Sequence, residues 1–376
     1  MIYLDHHATT PLDPRALERM LPFLTEHFGN ASSKHHAYGW FAQEAVENAR
    51  GEVADLLGAS SREIVFTSGA TESINIALTG GARARSDLGT HVITQATEHK
   101  AVLDVVQSLE GFEVTVLPVD GDGRVDPDDV ARAIRKDTVL VSIMHGNNEV
   151  GTIQDLDALG ARCRERGVWF HVDAAQTAGK IPVDLQTQPV DMLSLSGHKL
   201  YGPKGVGALY LRRRDPRVTV RPLVHGGGHE RGVRSGTLNV PGIVGLGAAA
   251  AIAREEMATQ AAHVRAIRDR LESELLAAIP DAVVHGPGDR LYNNLNISFP
   301  GVSADALLTA ARGVAASTGS ACTSESLEPS HVLRAMGVSP TLIAGAVRLS
   351  PGRGTRAEDV GPAVESLSAA YKNLLR

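Results

Sequence analysis

The sequence predicts an α/β fold: a large domain with a seven-stranded, mostly parallel sheet, followed by a smaller α+β domain. Two observations carry the prediction. Seven short β-type runs, apolar on both faces, alternate with helical or loop material between residues 63 and 211. From about residue 245 the texture changes to a long Ala-, Arg- and Glu-rich helical run, then to helices and short strands without a βαβ repeat, so a second domain is expected to begin near residue 257.

In chain order the predicted strands are EIVFTS (63–68), HVITQ (91–95), EVTVLP (113–118), VLVSIM (139–144), GVWFHVD (167–173), VDMLSLS (190–196) and VGALYL (206–211), each read as buried on both faces. SGATES followed by INIAL predicts a glycine turn opening into a helix. DLDALGARCRERG predicts another, with Asp155 as cap and Gly167 as stop; Leu156, Leu159, Gly160 and Cys163 fall on one face, which reads as packing. No internal repeat or low-complexity tract is evident, and the link between the two domains is expected to be a continuous helix.

Composition narrows the function classes. A chain of 376 residues with 43% hydrophobic content can bury a core without staples, and two cysteines make no disulfide framework. The absence of a basic amino-terminal region followed by an apolar run predicts a reducing cytoplasm, and no run reaches the roughly 18 apolar residues of a membrane span. A net charge of −6 argues against a general nucleic-acid surface.

The polar residues after the strands say more than the strands do. VFTS runs into GATES (69–73), VLVSIM into HGNNE (145–149), WFHVD into AAQ (174–176) and LSLS into GHK (197–199). Ligands of open parallel sheets bind at the carboxyl ends of the strands, so these endings outline one site. The helix opening at Ala70 offers unpaired amides which, with the Thr71 hydroxyl, suit a phosphate; an ordinary Thr-capped helix is the alternative. Ser196 and His198 could serve as further phosphate donors. Lys199, one of only seven lysines, is either an edge charge or, desolvated beside a ligand, an amine able to form a Schiff base. Asp173 is either a cap or the partner of a pyridinium nitrogen. Gln176 and Asn148 could donate to a ring hydroxyl. His99 could stack on the ring or move protons, or be a satisfied structural histidine. Together these parts describe a pyridoxal 5'-phosphate pocket.

At this point the chain resembles the cysteine desulfurases of the NifS/IscS type, within the class V aminotransferase family of fold-type I pyridoxal phosphate enzymes. The resemblance runs nearly end to end through YLDHHATTPLDPR (3–15), FTSGATES (66–73), TEHKAVLD (97–104), SIMHGNNEVG (142–151), HVDAAQ (171–176), SLSGHKLYGPKGVGALY (194–210), HGGGHERGVRSGT (225–237) and STGSACTSESLEPSHVLRAMG (317–337). It implies a large cofactor-binding domain over 13–256 and a small domain from 1–12 and 257–376 carrying a mobile loop with Cys322. It implies that Lys199 bonds the cofactor, that His99 stacks and serves as acid and base, and that Asp173 and Gln176 contact the ring. Ala70, Thr71, Ser196 and His198 then hold the phosphate, and Thr237 reaches the phosphate bound by the partner of a homodimer. Asn148 and Arg348 grip the substrate carboxylate, as a guanidinium can through two parallel hydrogen bonds.

The implied activity takes sulfur from L-cysteine, leaving L-alanine and a persulfide on Cys322. A sulfur-acceptor protein then receives it for iron–sulfur cluster assembly or for thiolation of tRNA, DNA or a cofactor. The small polar residues around Cys322 (GSACTSES, 319–326) suit a solvated, movable loop rather than a core position. Two rivals remain: another pyridoxal phosphate enzyme such as a selenocysteine lyase or aminotransferase, and a non-catalytic sulfur-relay scaffold. Release of alanine and sulfide separates them. His6-His7 and Gly146 depart from the residues usual in the family. The histidine pairs 6/7, 35/36 and 225/229 are not expected to hold a metal, since Gly226 to Gly228 disfavour the helix in which i and i+4 histidines converge.

Overall fold

The structure, a computed structural model, describes residues 1–318 and 329–376, so Cys322 lies outside the described residues. Its centre is a seven-stranded sheet in the order Ile64–Thr67, Gly207–Leu211, Met192–Ser196, Trp169–Asp173, Thr138–Ser142, His91–Gln95, Glu113–Leu117. All strands run the same way except Gly207–Leu211, which is antiparallel to both neighbours. The five inner strands are buried throughout, and the edge strand Ile64–Thr67 is equally buried.

Glu113–Leu117 departs from the expectation of burial on both faces. It is the opposite edge strand, with Glu113 and Val116 exposed. Its outer side has no neighbouring strand to cover it.

Register aligns the strand ends that matter. Thr67 pairs with Gly207, which pairs with Ser196, while Asp173 pairs with Ser194 two residues earlier on the same strand. Buried histidines inside the sheet are satisfied across strands: His171 bonds the hydroxyls of Ser142 and Ser194 at 2.8 and 2.9 Å. The helix Leu156–Glu165 is capped by the Asp155 side chain, which accepts from the amide of Ala158; Gly167 beyond it takes φ 67. Cys163 is buried there, and burial pushes its thiol well up.

The helix Val240–Ala278 is 39 residues long and joins two cores. Ile243, Leu246 and Ala250 pack in the core beneath the large sheet; Ile267, Leu271 and Leu275 pack in a second core with Leu4, Ile297 and Val347. Gly247 allows the helix to approach Ala37–Leu56 closely, since a Cβ there would lie 2.6 Å from Ala49 Cα. The second core carries a three-stranded antiparallel sheet, Ala346–Leu349 beside Leu295–Ser298 beside Val283–His285. The first strand, Ile2–Tyr3, pairs in parallel with Val314–Ala315. No helix among the described residues is long and apolar enough to cross a membrane.

Candidate active site

A cavity of about 600 Å³ opens at the carboxyl ends of the large sheet. It lies where strand order reverses: His99 follows the strand His91–Gln95, and Asn148 follows the adjacent Thr138–Ser142. Ala70, Thr71, His99, Asn148, Asp173, Gln176, Ser196, His198 and Lys199 all line it. Thr237 and Arg348 do not; Thr237 is exposed on the loop before the long helix, and Arg348 is buried behind the wall.

One end of the cavity is a helix start. The helix Ala70–Asn75 is capped by Gly69 with no side-chain hydrogen bond, so its first amides keep no side-chain partner at the cap. The expectation of a possible Thr cap is thereby replaced by a bare glycine start. Glycine is needed on both sides of this turn for different reasons: a Cβ on Gly207 would lie 2.6 Å from Gly69 Cα, while Gly69 itself takes φ 155. His198 shares a hydrogen bond of 3.1 Å between Nδ1 and Thr9 Oγ1, and burial pushes its imidazole down to about 4. It is therefore neutral near pH 7, a hydrogen-bonding group rather than a cation.

Asp173 ends the strand Trp169–Asp173 and is buried. Its Oδ1 accepts from the amide of Ala175 at 2.9 Å, and burial raises its carboxyl despite the nearby His99 and Lys199. Glu98 stands behind it, also buried; desolvation and the proximity of Asp173 push it up to about 8. Its Oε1 accepts from Gln95 Nε2 at 3.0 Å and from the amide of Met144, while Oε2 has no partner. A buried carboxyl pair of this kind favours one proton between the two groups or a cation brought alongside. His99 caps the helix Lys100–Gln107 through Nδ1, which accepts from the amide of Ala101 at 3.1 Å. The ring proton of its neutral form is therefore on Nε2, and structural and chemical roles coexist in one side chain.

Lys199 follows Ser196 on a short 3-10 turn. Its Nζ donates to the carbonyl oxygens of His7 and Ala8, the latter at 2.9 Å. The amino-terminal segment thus straps across the site. Thr10 reinforces the strap: its amide and hydroxyl both donate to the His198 carbonyl at 2.9 Å. His6 and His7 are parts of this strap. His6 Nδ1 lies 3.0 Å from the Ser350 carbonyl and its ring lies over Gly352, where a Cβ would come within 2.2 Å. Among the described residues, no group of three or more His, Cys, Asp or Glu side chains could hold a metal ion.

Arg348 NH1 donates to the Asn148 carbonyl and NH2 to Asp5 Oδ1, both at 2.8 Å, while Nε has no partner. Gly146, the family departure noted in the sequence, has a local cause: a Cβ there would lie 2.5 Å from Thr177 Cγ2. The Thr177 methyl fills the space a larger residue at 146 would use.

This donor set fits pyridoxal phosphate. An unpaired helix start with hydroxyls suits its phosphate, a buried carboxylate short of donors suits a protonated ring nitrogen, and a lysine amine inside the cavity suits its carbonyl. Sequence reasoning missed Lys180, whose buried Nζ donates to Gln176 Oε1 at 2.9 Å, and Glu98. The only sequence signals were the scarcity of lysine and the position of Glu98 beside His99.

Comparison with known proteins bears on the same site. A model of the "Aminotransferase class-V" family matches residues 2–362. The chain is 56% identical over 376 residues to a "Cysteine desulfurase IscS" from Anaeromyxobacter sp. (strain Fw109-5), covering 99% of this chain and 93% of that protein. Among solved structures it is similar to a "NIFS-LIKE PROTEIN", with TM-score 0.91, 41% identity and 98% coverage of both chains. It is also similar to SspA, solved in complex with cysteine, with TM-score 0.82 and 39% identity over 94% of this chain and 99% of that one.

Proposed function

This chain belongs to the class-V aminotransferase family and is a pyridoxal phosphate-dependent cysteine desulfurase, and from that premise we propose how its own residues divide the work. The observation that carries the reading is the convergence of Lys199, Asp173, Gln176, His99 and the Ala70 helix start on one cavity.

When bound, pyridoxal phosphate supplies a carbonyl for the substrate amine and an electron-withdrawing ring that weakens bonds at the substrate Cα. The amides from Ala70 onward, with Thr71, Ser196 and His198, would hold its phosphate. Asp173 would pair with a protonated ring nitrogen, an ion pair offsetting the cost of its burial, and Gln176 would donate to the ring hydroxyl. Lys199, whose amine lies in the cavity, would hold the cofactor carbonyl and serve as the base for the substrate Cα proton. His99, with Nδ1 engaged by the Ala101 amide, would carry protons on Nε2 within the cavity. Arg348 and Asn148 bind the substrate carboxylate: Arg348 keeps Nε and further N–H bonds for it beyond those used by Asp5 and the Asn148 carbonyl.

The Cys322 thiolate attacks the sulfur of L-cysteine. The sulfur–sulfur bond forms as the carbon–sulfur bond breaks, the carbon side keeps the electron pair and takes a proton to become alanine, and Cys322 is left as a persulfide. An acceptor protein that serves cluster assembly or a thiolation reaction removes this sulfur in the cytoplasm. The same reading assigns 13–256 to the cofactor-binding domain and 1–12 with 257–376 to the smaller one; the pairing of Ile2–Tyr3 with Val314–Ala315 supports that division.

A homodimer completes it, with Thr237 reaching the partner's phosphate site. Support comes from Leu21, Leu24, Phe28, Tyr38, Trp40 and Phe41, at least half exposed over the first two helices and the loop between them.

The test is release of alanine and sulfide from L-cysteine, with reductant present, by the wild type and by Cys322→Ala. Alanine from the wild type and almost none from the variant supports the assignment. Equal turnover rejects the role of Cys322.

A further inference from the structure

Gln176 is the meeting point of a buried network that includes two residues so far without a role. Its Oε1 accepts from Lys180 Nζ at 2.9 Å and from His7 Nδ1 at 2.7 Å, and its Nε2 donates to the His7 carbonyl at 2.9 Å. That carbonyl also accepts from Lys199 Nζ. His7, Gln176 and Lys180 are all buried.

The network fixes the amide in one orientation. A backbone carbonyl can only accept, so it requires the nitrogen end; an ammonium can only donate, so it requires the oxygen end. His7 adapts to either, because a neutral imidazole can exchange tautomers; here its proton is on Nδ1, and Nε2 is buried without a partner. Lys180 cannot adapt while charged. Gln176 lines the cavity with Asp173 and Lys199, and with both lone pairs of Oε1 engaged and one Nε2 hydrogen given to His7, its side chain has a single N–H left. Toward a ligand it is a donor and not an acceptor.

A structural reading of Lys180 accounts poorly for its cost. No carboxylate pairs with it among the described residues. The charged groups that act on it are Lys199 and Arg348, and it in turn acts on His6, His7 and His198, all of them basic. Burial and these neighbours push its ammonium down to about 7. A methionine of similar length would fill the same space without desolvating an amine.

We propose that Lys180 is a positioning residue, holding the Gln176 amide through Oε1 so that the cavity is offered one N–H donor for an anionic oxygen on the cofactor ring. The inference rests on the pocket assignment above and deepens it.

The test strips cofactor from the protein and titrates pyridoxal phosphate back into wild type, Lys180→Met, Lys180→Arg, Gln176→Leu and the double variant Lys180→Met/Gln176→Leu. Visible absorbance of the bound cofactor and far-ultraviolet circular dichroism are followed together. Lys180→Met is expected to weaken cofactor binding about tenfold and shift the absorbance maximum, with Lys180→Arg recovering most of both. In the Gln176→Leu background the same change should alter affinity less than about twofold, because its route is already removed. Wild-type affinity and absorbance in Lys180→Met overturn the proposal, as does an equal loss in the Gln176→Leu background. Should Lys180→Met fail to fold, Lys180→Gln is read by the same two criteria. Cysteine is absent throughout, so a failure to make alanine counts against the desulfurase mechanism alone. A wild type that acquires no cofactor absorbance overturns the pocket assignment and this inference together.

Discussion

Arg348 NH2 donates to Asp5 Oδ1 at 2.8 Å across 343 residues of sequence, joining the amino-terminal strap to a strand of the smaller sheet. The guanidinium is buried, and its second hydrogen bond, to the Asn148 carbonyl, aims it at the wall of the cavity. A planar fork can satisfy these two partners and still face a carboxylate; a lysine ammonium at the same place cannot reproduce that geometry. Arg348→Lys should therefore raise the KM for L-cysteine roughly 10–100-fold while leaving the absorbance of the bound cofactor unchanged. Steady-state kinetics with a spectrum of the same sample checks both. A KM within twofold of wild type would remove Arg348 from substrate recognition.

Gly146 and Thr177 form a compensating pair, since Thr177 Cγ2 occupies the room a side chain at 146 would need. Gly146→Val should destabilise the fold by about 1–3 kcal/mol, the usual cost of overpacking a tight interior. Thr177→Ser removes the offending methyl, so the double variant should regain at least half of that loss. Urea denaturation of the two single variants and the double variant gives the comparison. Additive losses would show that the methyl is not what excludes a larger residue.

What was legible in the sequence follows from how locally each feature is encoded. Nine cavity residues could be read from it because each ends a strand or lies within a few residues after one, so a single run such as LSLSGHK carries both the strand and the chemistry. Lys180 escaped because its meaning depends on His7, placed beside Gln176 by a strap that crosses 169 residues of sequence. Glu98 escaped because nothing in TEHK distinguishes a buried acid from a surface one. Burial of Glu113–Leu117 was misjudged because an edge position is a property of strand order, which a strand's own composition encodes weakly.

Two imidazoles deep in the fold add to its response to acid alongside His198. Burial pushes His171 down to about 3 and His145 down to about 4, against 6.5 for the ordinary side chain. Between pH 6.5 and about 4 the unfolded chain takes up protons at both positions and the folded chain does not. Their stabilisation is thus present above pH 6.5 and is lost as pH falls through that window, by about 1.4 kcal/mol per pH unit for each group. Glu98 works in the opposite sense, holding its proton up to about 8, and offsets one of the two where the windows overlap. His171→Asn should flatten the decline in denaturation midpoint between pH 6 and 4.5, even though it lowers stability at pH 7 by breaking the contacts to Ser142 and Ser194. An unchanged slope would mean that His171 takes up its proton in the folded state.

Ser330 closes a second buried contact between distant parts of the chain. Its hydroxyl donates to Glu149 Oε2 at 2.5 Å and accepts from the amide of Leu333 at 3.1 Å, which caps the helix His331–Ala335. Both Ser330 and Glu149 are buried, so removing the hydroxyl leaves a carboxylate oxygen short of a donor and a helix amide without its cap. The two losses point the same way, and Ser330→Ala should cost about 2–4 kcal/mol in chemical denaturation. Ser330→Thr keeps the hydroxyl and should recover most of it. Glu149 adjoins Asn148, whose carbonyl holds Arg348, so Ser330→Ala should also raise the KM for L-cysteine several-fold, with the threonine variant close to wild type. A stability loss without any change in KM would confine Ser330 to the packing of its own helix.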